Sequence, residues 1–155
     1  AETGFVLGAD LPGEDCAEAD VLAATERIVP AIELIDSRIA DWDIRIGDTI
    51  ADNASSAGYV LGRDRVKPTD IDLTTIGARL LRNDELVGEG RSDAVLGDPV
   101  IAVAWLARKV ASFGVTLRSG NVILPGSVHR AVDVRPGDDF EATFEGLGSV
   151  RLSFE

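Results

Sequence analysis

Glu33 stands in the middle of the run Pro30-Ala31-Ile32-Glu33-Leu34-Ile35-Asp36-Ser37-Arg38. In an extended strand successive side chains point to opposite faces, so Glu33 shares one face with Ala31 and Ile35 while Ile32 and Leu34 take the other. Apolar residues on both faces predict a strand buried on both sides. A lone buried carboxylate is costly, and is normally protonated, paired or bound to a metal. Two readings are open from the residues: a Glu held by an Arg or by backbone amides, or one ligand of a metal ion. Glu2 lies at the head of another expected strand, although at a chain end a solvated Glu needs no explanation. Oxygen-only ligation by two carboxylates would suit Mg²⁺ or Mn²⁺ rather than zinc or copper.

Other chemistry is poorly supported. Ser127, His129 and Asp133 carry the residue types of a hydrolase triad, but nothing around them is a nucleophile elbow, and such trios occur by chance. His129 reads as a structural or pocket-lining residue. No phosphate-cradling loop, dinucleotide fingerprint or paired zinc histidines are present. Gly88 and Gly90 fall in a hairpin strand with no helix start after them, so they are weak evidence for a nucleotide site. Cys16 is alone, which excludes an intrachain disulfide and fits a reducing, cytoplasmic setting. The net charge of −12 opposes binding to a phosphate backbone, so nucleic acid is not an expected partner. No apolar run is long enough to cross a membrane. At 155 residues and 45% apolar content the chain is expected to form one domain with a substantial core.

The elements that must position these residues follow from periodicity and punctuation. Residues 3–7 read as a strand that begins without a lead-in, as though the chain were the C-terminal portion of something longer. Asp15-Cys16-Ala17-Glu18 has capping-box spacing and predicts a helix to about Arg27, ended by Pro30 before the Glu33 strand. Residues 41–49 alternate, and 50–56 pack small and polar residues as in a functional loop or short helix. Residues 57–61 form a further strand; 73–81 and 86–90 form a hairpin around residues 82–85. Asp98 as N-cap and Pro99 as first helical residue open a helix to about Phe113, stopped at Gly114. Its apolar residues cover most of its circumference, which predicts a helix lying deep against a sheet with Trp105 in the packing. Residues 121–124 read as a strand and 135–138 as a turn. The alternation of Phe140, Ala142 and Phe144 against Val150, Leu152 and Phe154 predicts a closing hairpin. The fold class is α+β.

Four stretches carry a family resemblance: Ala-Glu-Thr-Gly-Phe-Val-Leu-Gly (1–8), Pro-Ala-Ile-Glu-Leu-Ile-Asp-Ser-Arg-Ile (30–39), Asp-Thr-Ile-Ala-Asp-Asn-Ala-Ser-Ser (48–56) and Gly-Leu-Gly-Ser-Val (146–150). Together they resemble the 2-keto-4-pentenoate hydratase and 4-oxalocrotonate decarboxylase family of the fumarylacetoacetate hydrolase superfamily. The resemblance spans essentially the whole chain. It implies a mixed β-roll of the fumarylacetoacetate hydrolase C-terminal type with two main helices, forming one catalytic domain over residues 1–155 that lacks an N-terminal segment. It also implies a divalent metal, Mg²⁺ or Mn²⁺, held by a Glu-x-Glu pair and a later Glu. Glu2 matches the second member of the pair and Glu33 the later ligand; the first member would precede Ala1. Carboxylates at i and i+2 on a strand face one way, which is why that spacing serves a shared cation.

What the resemblance implies in function is addition of water to a 2-hydroxy-2,4-dienoate, turning 2-hydroxypenta-2,4-dienoate into 4-hydroxy-2-oxopentanoate in aromatic-compound breakdown. Arg45 stands where relatives commonly have Lys; Arg keeps the charge and can grip a carboxylate, but is a poor proton carrier. Arg45 is therefore expected to position substrate, Asn53 and Ser55 to orient substrate or water, and Ser127 to bind the substrate carboxylate. Two alternatives stay open: a decarboxylase of 2-oxo-3-hexenedioate, and a non-catalytic partner subunit of such an enzyme. Expected partners are a small 2-oxo or 2-hydroxydienoate acid, further copies of the chain in a homo-oligomer, and a pathway partner enzyme.

Overall fold

The computed structural model describes all residues 1–155. Its strands are β1 (Glu2–Leu7), β2 (Thr25–Ile35), β3 (Ser56–Leu61), β4 (Gly77–Arg82), β5 (Glu85–Arg91), β6 (Val122–Ile123), β7 (Asp139–Phe144) and β8 (Gly148–Ser153). Its helices are α1 (Glu18–Ala24), α2 (Ile46–Ala51) and α3 (Pro99–Ala111). The strands form two four-stranded antiparallel sheets, ordered β3-β2-β1-β6 and β5-β4-β7-β8. One hydrophobic cluster joins them, with Phe5, Leu7 and Ile28 from the first sheet, Phe140 and Val150 from the second, and Val21 and Val103 from α1 and α3. The α+β fold class expected from the sequence is the one observed. No helix is long and apolar enough to cross a membrane.

The closing hairpin and the α3 start are as the sequence predicts. Asp98 Oδ1 accepts the Val100 N–H at 2.8 Å, with Pro99 behind it. Asn83 and Asp84 take the left-handed conformations of a tight hairpin turn between β4 and β5.

Several local expectations give way. The first helix ends at Ala24, not near Arg27, and strand β2 begins at once and runs straight through Pro30. Thr25 turns its hydroxyl back onto the Val21 carbonyl (2.7 Å), closing the helix, and the Thr25–Ile28 stretch then pairs with β1. Tertiary pairing outweighs helix propensity in this β-branched stretch. Pro30 is tolerated because its carbonyl accepts from Gly62 (2.8 Å), just past the end of β3, where the N–H that proline lacks is not needed for the ladder. Residues 41–49 do not make a strand: a 3-10 turn (Ala40–Trp42) and α2 replace it. Neither face of this run meets a partner, Trp42 being 48% and Ile46 78% exposed. Asp72 closes an Asx turn, its Oδ1 accepting the Thr74 N–H at 3.0 Å, and β4 starts only at Gly77. Helix α3 packs on α1 and buries Val100, Val103, Ala104 and Ala107, but its outer face is open and Trp105 is 55% exposed rather than packed.

Candidate functional site

Strand register brings the two carboxylates together. Glu2 pairs with Ala31 across the β1–β2 ladder, and Glu33 lies two residues beyond Ala31 on the same face. The side chains are therefore diagonal neighbours on an antiparallel pair, about 7–8 Å apart at the backbone. Glu2 is the buried one, only 2% exposed, while Glu33 is half-buried. This reverses the expectation that Glu33 sits deep and Glu2 in solvent. The last residues of β2 run beyond the covering sheet, Ile35 being 41% exposed, whereas β1 is buried along its whole length.

No arginine or lysine clasps either carboxylate; the ion pairs of the molecule are Arg27–Glu26, Arg38–Asp52, Arg91–Asp93 and Arg151–Glu141. The Gly126 N–H donates to Glu2 Oε2 at 2.8 Å. Burial, and then the neighbouring Glu33 charge, push the Glu2 carboxyl up to about 7. Two oxygen-bearing groups, one deeply buried and neither neutralised by a basic side chain, fit a hard divalent cation by their chemistry. They do not fill its coordination shell, and no group of three His, Cys, Asp or Glu side chains converges on one point.

Beside the pair opens a cleft of about 340 Å³, with Glu2, Glu33, Gly126, Ser127 and His129 at its polar end. Ser127 is exposed, and its hydroxyl donates to the Ala1 carbonyl at 3.3 Å. His129 lines the cleft with Nδ1 2.7 Å from the Arg130 carbonyl, so that nitrogen carries a proton; burial lowers the pKa of the ring. Asp133 is not among the lining residues, so no triad assembles around Ser127.

The loop carrying these groups lies against β5, and only glycine permits it. A methyl at Gly90 would overlap the Val128 carbonyl, and one at Gly88 would come within 2.9 Å of the His129 ring. The sequence reading assigned these glycines no role. Their signal was present, as two glycines two apart on one strand face, where something must approach closely.

Arg45, Asn53 and Ser55 lie elsewhere. They belong to an arm between β2 and β3, and none lines the cleft. Arg45 is exposed at the start of α2, its N–H donating to Asp48 Oδ2 at 2.8 Å. Asn53, Ala54 and Ser55 take φ values of 51°, 56° and 62°, three consecutive left-handed residues without a glycine. Asn53 is exposed, while Ser55 is buried with no hydrogen-bond partner for its Oγ. Arg38 fastens the arm, with Nε 3.3 Å from Asp52 Oδ1 and Nη2 donating to the Ser56 carbonyl at 2.7 Å. The Asp36 N–H donates to the Ser55 carbonyl at 2.9 Å. This fastening role of Arg38 and Asp52 was not evident from their spacing.

The family model for the fumarylacetoacetate (FAA) hydrolase C-terminal region matches residues 1–155. The chain is 49% identical over 155 residues to "2-keto-4-pentenoate hydratase" of Paraburkholderia xenovorans, covering all of this chain and 58% of the relative. It is 42% identical over 153 residues to "2-hydroxyhexa-2,4-dienoate hydratase" of Comamonas testosteroni, covering 99% of this chain and 58% of the relative. Among solved structures, 4-oxalocrotonate decarboxylase from Pseudomonas putida G7, complexed with magnesium and adipate, superposes with a TM-score of 0.94 at 37% identity, covering 99% of this chain and 59% of that one. The chain thus spans about three-fifths of the length of the relatives it matches. It belongs to the fumarylacetoacetate hydrolase C-terminal family.

Proposed function

We propose that residues 1–155 are the metal-binding catalytic domain of a hydratase that adds water to a 2-hydroxy-2,4-dienoate, with Mg²⁺ or Mn²⁺ held by Glu2 and Glu33. The observation that carries this reading is the pair of carboxylates on one sheet face, without a basic partner, at the polar end of a cleft. The names of the relatives, two of them hydratases of 2-keto or 2-hydroxydienoic acids, supply the substrate class. When bound, the ion supplies Lewis-acid polarisation of a 2-oxo acid and offsets the repulsion between an anionic substrate and the two glutamates.

The residues divide the remaining work. The Gly126 N–H fixes the Glu2 carboxylate and so its orientation toward the cleft. Ser127, at the cleft edge, offers its hydroxyl to the substrate carboxylate. The apolar walls exclude bulk water from the conjugated chain, so that the hydrating water is admitted rather than ambient. Arg45, Asn53 and Ser55, borne on the arm that follows directly from the Glu33 strand, lie outside the cleft and touch no substrate bound there.

Calorimetric titration of the full chain with oxalate, with and without Mg²⁺ or Mn²⁺, tests the site, and loss of the ultraviolet absorbance of 2-hydroxypenta-2,4-dienoate tests the reaction. Metal-dependent oxalate binding that Glu33→Ala abolishes, in a variant that keeps its folded circular dichroism, is the expected result. Full turnover by Glu33→Ala would overturn the assignment. The close structural match to a decarboxylase favours one second reading: carbon dioxide released from 2-oxo-3-hexenedioate, with no hydration of the dienol, would put that reaction in place of the hydratase.

A further inference from the structure

One short stretch of the β2–β3 ladder frames Glu33. Glu33 pairs with Tyr59 and Leu34 with Gly58; the register then shifts, and Ile35 pairs with Ser56. Ala57 is thereby left over on β3, a bulge just beyond the rung that follows Glu33. A bulge bends a strand and interrupts its pairing, so the course of β2 at Glu33 depends on what holds the chain beyond it. That hold is the root of the arm, where the Asp36 N–H donates to the Ser55 carbonyl at 2.9 Å. Arg38 then reaches across it. Its Nη2 donates to the Ser56 carbonyl at 2.7 Å, its Nε lies 3.3 Å from Asp52 Oδ1, and its backbone N–H donates to Asp52 Oδ2 at 3.2 Å. The Asp52 side chain is 13% exposed, the least of any acid in the ion pairs of the molecule, so solvent screens this contact less than the others. Against the clasp stands the left-handed run of Asn53, Ala54 and Ser55, which ends beside Ser56. Alanine and serine are disfavoured in that conformation, and their relaxation works to open the root.

We infer that the Arg38–Asp52 clasp is a positioning device for Glu33: it keeps the end of β2 in register with β3 and so presents the Glu33 carboxylate at the cleft. The inference rests on the reading of Glu2 and Glu33 as metal ligands. Neither Arg38 nor Asp52 lines the cleft, so both act through the ladder alone. The two glutamates differ in what fixes them. Glu2 sits on a strand buried along its whole length and accepts the Gly126 N–H, whereas Glu33 is half-buried near the open end of β2. With the clasp cut, the strain in the left-handed run frays the last rungs. Only molecules with Glu33 in place then take up the ion, and the apparent affinity falls by that fraction. Coupling of this kind is reciprocal, so an ion held by Glu33 keeps the clasp shut in turn.

Calorimetry of the full chain with oxalate and Mg²⁺ tests this, paired with amide hydrogen exchange over residues 36–38 and 52–56. Arg38→Gln and Asp52→Asn each cut the clasp, and each should weaken Mg²⁺-dependent oxalate binding about three- to tenfold. Arg151→Gln is the control: it breaks the ion pair of Arg151 Nη2 with Glu141 Oε2, at 2.9 Å on the second sheet, and should leave oxalate affinity unchanged. In the unsubstituted chain, Mg²⁺ with oxalate should slow exchange at the arm root by about threefold or more, which decides the matter if the variants do not fold. Unchanged affinity in both clasp variants, an equal loss in Arg151→Gln, or root exchange that the ion does not alter overturns the positioning role and leaves the metal reading standing. Absence of Mg²⁺-dependent oxalate binding in the unsubstituted chain overturns both.

Discussion

The carboxylate cleft and the arm between β2 and β3 hold the site residues suggested by the sequence, and the two are built by opposite means. In the cleft, Glu2 and Glu33 ride on central strands of one sheet, and their relation is set by hydrogen-bond register. The backbone there is regular and the cost is electrostatic, a buried carboxyl pushed up to about 7. On the arm Arg38 pairs with Asp52, and the cost lies in the backbone, three left-handed residues in succession. Proteins hold unfavourable features in place where the surrounding structure over-determines them. Here a sheet holds one and a polar clasp at the surface holds the other, so perturbing each should give different signatures.

The largest effect is expected at Glu2. Glu2→Gln removes the buried charge, so it should lower Mg²⁺-dependent oxalate affinity at least a hundredfold while stabilising the metal-free chain. The sign follows from the raised pKa: folding favours the protonated carboxyl, so its contribution is full below about 4.5 and is lost as pH rises through about 7. The stability gap between Glu2→Gln and the unsubstituted chain should therefore open over that window, reaching about 3 kcal/mol at pH 8. Urea unfolding at a series of pH values measures it, and a gap that does not change with pH would contradict it.

An intermediate effect is expected where the cleft loop meets β5. Gly90→Ala forces a methyl against the Val128 carbonyl and should cost about 1–3 kcal/mol of stability. The affinity for oxalate should also fall, because Gly126 and Ser127 move with the loop. Thermal unfolding together with oxalate titration checks both. An unchanged affinity would mean that the loop is not part of the site.

The smallest effect is expected on the arm. Ala54→Gly relieves one left-handed residue and should stabilise the chain by about 1 kcal/mol. If the arm positions substrate, the same change should also raise KM for the dienoate by loosening Asn53 and Ser55. Stabilisation without any kinetic change would confine the arm to a structural role.

How much of this was legible from residues alone depended on the range of the forces involved. Asp98 with Pro99, the Asn83-Asp84 turn and the β7–β8 alternation act through near neighbours, and they could be read directly. The end of α1 could not, because the pairing of Thr25–Ile28 with β1 outweighs a local helical preference. The outward-facing Trp105 was misread for the same reason, since a periodic pattern shows that a face exists but not whether anything covers it. Of the site residues, Glu2, Glu33 and Ser127 meet at the cleft, while Arg45, Asn53 and Ser55 do not.

By itself, then, the amino-acid order determined the residue types, the fold class, the local caps and turns, and the presence of two carboxylates on strands. Only the tertiary structure decided that Glu2 rather than Glu33 is buried, that neither has a basic partner, that Gly88 and Gly90 make room for the Gly126 loop, and that the far end of the cleft is apolar. The physical reason is that burial, charge pairing and close approach depend on residues far apart in the chain, 124 positions in the case of Glu2 and Gly126. Caps and turns are settled within a few residues of one another.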